Sequence, residues 1–357
     1  MRTYKHLWKS LCSWDNLELA YQNARKHKTN NPKIRKFDTH WQYNLAVLLW
    51  ELKTKTYKPK PLQTFVLRDP KTRVISVANF RDRIVHHALI NMLQPIFEPQ
   101  FIYDSFANRV AKGTLAALDR FDYFKTKVMK SLLARGDRPQ GYVLKADIKQ
   151  YFQTVDHEVL LDIISRQVKD ANVIWLVRVI LDNHKSDVPG MGMPLGNWTS
   201  QFFANVYLNE LDQFVKHELR AKYYIRYVDD FVILHRSKKV LREYEKEIKD
   251  FLPKLKIELH PNKCKILPIS QGISFLGFRV FPHHRIPRKR NIRKAQNRLK
   301  VLMNVYQLGH IDAWAILESW QGWSGYAMHG NTYNLRKKMR RELEVDLEFK
   351  SRLRKKS

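Results

Sequence analysis

Cysteine is nearly absent from this chain. Only Cys12 and Cys264 occur, far apart and without a Cys-x-x-Cys partner. That spacing supports neither a zinc site nor a disulfide framework, and it fits a reducing compartment. Long apolar runs are missing as well. Residues 1–9 have no hydrophobic signal core, and residues 45–50 are far too few to cross a bilayer. No targeting segment, internal repeat or low-complexity tract is visible, so a membrane role is not expected. Negative charge is also scarce. Asp and Glu total 34 against 65 Lys and Arg, a net charge of +31. Such a charge disfavours self-assembly unless a polyanion is present. The basic residues run the whole length, which fits a nucleic-acid groove better than a short basic arm. General basicity of a ribosome-like or membrane-surface protein is the competing reading.

What the chain does have is core material. It carries 9 Trp, 16 Tyr and 18 Phe, enough for a sizeable interior and for stacking on bases. Its 357 residues suffice for two or three subdomains. Residues 1–60 read as mostly helical, with Leu45, Leu48, Leu49 and Leu52 at helical spacing after Asp38-Thr39-His40. Residues 64–67 and 73–77 read as strands around a turn at 68–72. Helices are predicted over 82–97, 159–167, 173–181, 199–220 and 241–252, and a loop over 136–139. Strands are predicted over 142–146, 256–260 and 274–280. Past Pro282 the character becomes basic and helical, which sets a boundary near 283–288. The mixture is α+β rather than a βαβ repeat.

The chemistry centres on Tyr227-Val228-Asp229-Asp230. Two β-prone runs, 223–227 and 231–235, flank a very short link, so the adjacent carboxylates sit at a hairpin tip. Like charges side by side repel, and folding alone does not favour them there. A divalent cation does, because hard oxygen ligands suit Mg²⁺. A third carboxylate, Asp147, ends the apolar strand 142–146. If that strand lies beside the hairpin, Asp147 joins Asp229 and Asp230 around two metal ions, which would clamp the attacking and leaving oxygens of a phosphoryl displacement. Asp156-His157 reads as a simple helix cap, and His86-His87 and His283-His284 as core or surface histidines.

Residues 65–82, 106–114, 145–152, 193–208, 227–234, 261–265 and 275–278 fall in the order and spacing of the reverse transcriptase blocks, and the chain resembles that family over about 60–330. The resemblance implies a right-hand polymerase fold. Fingers and palm occupy 60–282, with palm at about 140–157 and 195–282. A helical extension spans 1–60, and a basic helical thumb spans 283–357. Asp147, Asp229 and Asp230 take the catalytic positions, and the Ile148 carbonyl takes the auxiliary metal position. Two Mg²⁺ ions are implied, with Mn²⁺ as a substitute. Arg68 and Arg73 are placed on the incoming triphosphate, with Lys71 nearby. Phe152 is placed at the sugar gate and Lys263 as a proton donor to pyrophosphate. Tyr227, Phe275, Leu276 and Gly277 are assigned to primer and template; 275–278 resembles the primer grip.

The subfamily signal is Pro194-Leu-Gly-Asn-Trp-Thr-Ser-Gln201. Most members carry Gln before this Gly and Pro after the Ser. The pattern here is similar to the reverse transcriptase of diversity-generating retroelements, as is Ser319-Trp-Gln-Gly-Trp323. In the family, Leu195 and Gly196 would lie beneath the nascent base pair. Leucine has no donor or acceptor to hold it in register, so discrimination should fall. The resemblance implies adenine-mutagenised cDNA made from deoxynucleotides on a template-repeat RNA with flanking structured RNA, through an RNA–cDNA duplex. It also implies an accessory variability determinant, a basic helical homopentamer, and a cytoplasmic setting in a prokaryotic or phage-infected cell. Retron and abortive-infection enzymes are the nearest alternatives, though the retron Val-Thr-Gly signature is missing. No endonuclease, RNase H or maturase-like extension is expected. A non-catalytic RNA-binding scaffold is the other rival.

Overall fold

A computed structural model describes residues 2–68, 72–133 and 141–354, with side chains described outside 131–133 and 345–354. Lys71 and the loop at 136–139 therefore lie outside the described residues. The chain divides into two compact units. The first comprises Met1–Gly113, Lys145–Ile233 and Arg242–Lys265, and the second Thr114–Leu144, Leu234–Leu241 and Ile266–Ser357.

The first unit opens with α1 (Leu7–Leu11), α2 (Trp14–Arg25), α3 (Pro32–Asp38) and α4 (Trp41–Lys53). Ser13 caps α2 by accepting from the Asn16 N–H, and Asn31 caps α3 with Pro32 at its first position, the arrangement a helix start favours. Asp38 does not start a helix. It ends α3 and binds the Arg25 guanidinium at 2.8 Å and the Tyr21 hydroxyl at 2.6 Å. Strands β1 (Gln63–Leu67) and β2 (Arg73–Val77) form an antiparallel pair with Phe65 opposite Ile75. Then α5 (Phe80–Phe97) ends where the sequence predicts and contains Pro95 in its last turn. The Asn16 amide joins α2 to α5 by donating to the Ala88 carbonyl at 3.1 Å.

After α6 (Thr114–Leu133) come β3 (Tyr142–Asp147), α7 (Tyr151–Thr154), α8 (His157–Ser165), α9 (Ala171–Asp182) and α10 (Trp198–Gln213). Asp156 caps α8, accepting from the Val159 N–H. The hairpin β4 (Tyr224–Tyr227) and β5 (Asp230–His235) follows, then α11 (Lys238–Phe251) and β6 (Lys265–Pro268). A four-stranded sheet has the order β4-β5-β3-β6. No strand forms over 256–260. Lys256 takes a positive φ of 50°, and the segment keeps only an isolated bridge between Ile148 and Leu259.

The second unit contains α6 and a three-stranded antiparallel sheet of β7 (Ile273–Phe275), β8 (Phe278–Val280) and β9 (Arg285–Pro287). The single strand predicted over 274–280 is two strands. Leu276 and Gly277 turn between them with φ of 42° and 89°, the left-handed pair that a two-residue hairpin demands. Arg285 ties β9 to α6, donating to Asp119 at 2.8 Å and Asp122 at 2.9 Å. Three helices close the chain: α12 (Lys289–Gln307), α13 (Ala313–Ala327) and α14 (Tyr333–Arg354). They pack around Leu299, Met303, Tyr306, Ile316, Trp320, Met339 and Leu343, with Trp323 at the edge. Trp314 stays outside that core and is 61% exposed.

Candidate active site

Strand order brings the carboxylates together. β3 lies next to β5, so its terminal residue, Asp147, ends beside the tip of the β4–β5 hairpin. The link is direct: the Ile148 N–H donates to the Asp229 carbonyl at 3.1 Å. Tyr227 pairs with Asp230, leaving Val228 and Asp229 as the turn. On the other side the His260 N–H donates to the Asp147 carbonyl at 2.8 Å. That contact holds the 258–260 segment, and Lys263 just beyond it, against the end of β3.

Each outer carboxylate has its own lysine. Lys145 Nζ lies 2.7 Å from Asp230 Oδ1, and Lys263 Nζ lies 2.6 Å from Asp147 Oδ1. Asp229 is the pressed member. Burial, then the charges of Asp147 and Asp230, push its carboxyl up to about 6, as expected where like charges share a site. Among the described residues, no group of three or more His, Cys, Asp or Glu side chains is gathered to hold a metal ion. Asp147 and Asp230 are turned to their lysines instead. The donor set still fits a hard divalent cation. It is all oxygen, and its mutual repulsion is relieved by positive charge.

A second group of residues joins β2 to the loop before α10. The Ser76 N–H donates to the Leu195 carbonyl at 2.9 Å. Asn197, 3% exposed, accepts from the Ala78 N–H at 2.9 Å and donates to the Ser76 carbonyl at 3.0 Å. Gly196 sits between them at φ +116°, where an added Cβ would meet Ile75 Cγ2 at 2.8 Å. Only glycine accepts that conformation and that approach. Phe152 accepts the Met193 N–H on its carbonyl at 2.6 Å and meets the Tyr151 ring edge-on. Arg68 follows β1 and Arg73 begins β2, both exposed. Phe275, Leu276 and Gly277 belong to the second unit. There Phe275 is buried against Phe121, with ring centroids 5.4 Å apart.

Neither Lys145 nor Arg226 stands out in the sequence, and the buried bonding of Asn197 is not visible there. The only available signal for Arg226 was its position, a charged residue in a run of aromatic and β-branched neighbours.

Residues 58–280 match the family model described as reverse transcriptase (RNA-dependent DNA polymerase). The chain belongs to the reverse transcriptase family. The activity that goes with the family is RNA-directed DNA polymerisation, and the fold is the right-hand polymerase fold. This reverse transcriptase is 27% identical over 288 residues to Protein YkfC of Escherichia coli (strain K12), covering 69% of this chain and 72% of that one. It is 25% identical over 351 residues to the group II intron-encoded protein LtrA of Lactococcus lactis subsp. cremoris, covering 78% of this chain. It spans only 57% of LtrA's length. Among solved structures, an apo telomerase from Candida tropicalis truncated from its C-terminal domain aligns with TM-score 0.47 and 14% identity, over 68% of this chain and 59% of that one. Among the described residues, no helix is long and apolar enough to cross a membrane.

Proposed function

We propose that this reverse transcriptase copies RNA into DNA at Asp147, Asp229 and Asp230, with low fidelity at template adenines, as the polymerase of a diversity-generating retroelement. The catalytic part rests on the junction of the Ile148 N–H with the Asp229 carbonyl, which sets three carboxylates on adjoining strand ends. These side chains, with the Ile148 carbonyl, would hold two Mg²⁺ ions, or Mn²⁺ in their place. Such ions would supply neutralisation of phosphate charge and a more acidic primer hydroxyl.

The chain's own residues do the rest. Lys263, whose ammonium is paired with Asp147, gives a proton to departing pyrophosphate in this reading. Arg68, after β1, and Arg73, at the start of β2, bind the triphosphate of a deoxynucleotide. Phe152 excludes a ribose 2′-hydroxyl, Tyr227, Leu276 and Gly277 contact primer and template, and the buried Phe275 anchors the turn that carries the last two. The mutagenic part rests on Leu195. Its carbonyl is taken by Ser76, and its side chain has no hydrogen-bonding group to offer a base pair. Residues 60–282 serve as fingers and palm, 283–357 as a basic thumb, and 1–60 as a helical extension. The partners of this reading are a template-repeat RNA with flanking structured RNA, the RNA–cDNA duplex, and an accessory variability determinant as a basic helical homopentamer.

Sequencing cDNA made from the native RNA with that partner tests the proposal. Substitutions concentrated at template adenines, reduced in Leu195→Gln, are expected. An unchanged error spectrum in Leu195→Gln overturns the role of Leu195. Undiminished synthesis by Asp229→Ala overturns the site. The similarity to LtrA favours a second reading, service to a group II intron. Faithful copies of an intron RNA would carry that reading instead.

A further inference from the structure

Arg226 is among the largest fully buried side chains of the described residues. It sits on β4 immediately before Tyr227 and the two aspartates. Its Nε and Nη2 donate to Asp212 Oδ1 and Oδ2 at 2.7 and 2.6 Å, a bidentate pair in which both side chains are 0% exposed. Its Nη1 donates to Asn205 Oδ1 at 3.1 Å and to the Val228 carbonyl at 3.1 Å. Asp212 also accepts from the Tyr224 hydroxyl at 2.7 Å, and the Asn205 amide donates to the Ala107 carbonyl at 2.9 Å. The Arg226 backbone is fixed as well. Its N–H donates to the Asp104 carbonyl, and its carbonyl accepts from the Phe106 N–H, each at 3.0 Å.

Stability does not explain this arrangement. A buried ion pair loses hydration that its attraction barely recovers, and apolar residues of similar volume serve a core as well or better. What an apolar pair cannot supply is the bond to Val228. That residue is β-branched, yet it holds φ at +55°, a region that such residues avoid. It is the first of the two turn residues, and Asp229 is the second. The backbone angles of Val228 therefore set where the Asp229 carboxylate points.

We propose that Arg226 is a positioning residue. Anchored to α10 through Asp212 and Asn205, it holds the Val228 carbonyl and so keeps the turn in the left-handed form that aims Asp229 into the site it shares with Asp147 and Asp230. This rests on the reading of Asp229 as catalytic.

The test is single-nucleotide incorporation on an RNA template by the full chain. One variant is Arg226→Met with Asp212→Leu, which removes both charges together. The other is Arg226→Lys, which keeps an ion pair with Asp212 but lacks the fork needed to reach Val228 as well. In both, kcat is expected to fall about tenfold to a hundredfold, with cooperative unfolding and the affinity for template–primer retained; the melting temperature falls only as far as the buried partners lost by Asn205 and, in the double variant, by Tyr224 require. Adding Val228→Gly should recover much of the lost kcat, because glycine enters the left-handed region without help. Arg226→Lys keeps the test open if the double variant does not fold. A kcat kept within about twofold in a folded variant overturns the proposal. So does a loss that Val228→Gly leaves unrelieved, since Arg226 would then act through something other than the turn. Asp229→Asn run in parallel separates the two readings. If it polymerises normally, the site assignment fails and this proposal fails with it. If it is inactive while the Arg226 variants are not, only this proposal fails.

Discussion

Lys263 Nζ lies 2.6 Å from Asp147 Oδ1, joining a loop residue to a strand end 116 positions earlier in the chain. The ammonium occupies an oxygen that the proposed reaction requires for a cation. Its removal should therefore act in two directions. In Lys263→Met, half-maximal incorporation should need less Mg²⁺, because a competing positive charge is gone. The maximal rate should fall about a hundredfold, the usual worth of a positioned proton donor. Metal titrations of incorporation rate measure both effects. An unchanged rate would remove Lys263 from the chemistry, leaving it as a counter-ion to Asp147.

Phe152 should act on the sugar alone. Phe152→Ala is expected to raise incorporation of ribonucleotides relative to deoxynucleotides by about tenfold or more, with little change in deoxynucleotide turnover. Competition between the two nucleotide classes on one primer reads this directly. Intact rejection of ribonucleotides would show that the gate lies elsewhere.

The seam between β2 and the loop before α10 should be visible in stability. Asn197→Ala strands the buried Ala78 N–H, a loss of about 1–3 kcal/mol. Gly196→Ala meets Ile75 and Val77 from a φ of +116° and should cost about as much. Urea denaturation measures both. Losses below about 0.5 kcal/mol in both variants would show that the seam contributes nothing to the folded state.

Acid should weaken the protein through α5. Burial, with smaller help from nearby positive groups, pushes His86 down to about 3 and His87 down to about 4. The unfolded chain protonates both near pH 6.5. Between those values the unfolded state binds more protons, so stability rises with pH and is lost as pH falls below about 6.5. Each histidine should remove about 1.4 kcal/mol per pH unit through most of that window. Denaturation midpoints at pH 7 and pH 5 should separate, and His86→Gln should narrow the gap. Equal gaps in both proteins would refute the assignment to His86.

The hairpin and the third carboxylate were legible because their signals are local. Aromatic and β-branched runs frame Asp229 and Asp230, and an apolar strand leads into Asp147. The β1–β2 pair was legible for the same reason. Arg226 was not, because its partners Asn205 and Asp212 lie 21 and 14 residues back on a helix, and no periodicity encodes such a pairing. Lys145 resembled any strand lysine until Asp230, 85 residues away, was placed beside it. The segment at 256–260 has strand-like residues, but only one isolated bridge receives it. The 274–280 run reads as one strand because Leu276 gives no warning that it will adopt a positive φ; only Gly277 hints at the turn.

The apex of that turn is tied down by the helices behind it. The Gly277 carbonyl accepts from the Arg288 N–H at 3.0 Å, the Tyr326 hydroxyl at 3.0 Å and the Asn291 amide at 3.3 Å. Its lone pairs are saturated by α12, by α13 and by the residue that precedes α12. The Gly277 carbonyl is thus closed to any further donor, and the apex is fixed from behind by the two helices.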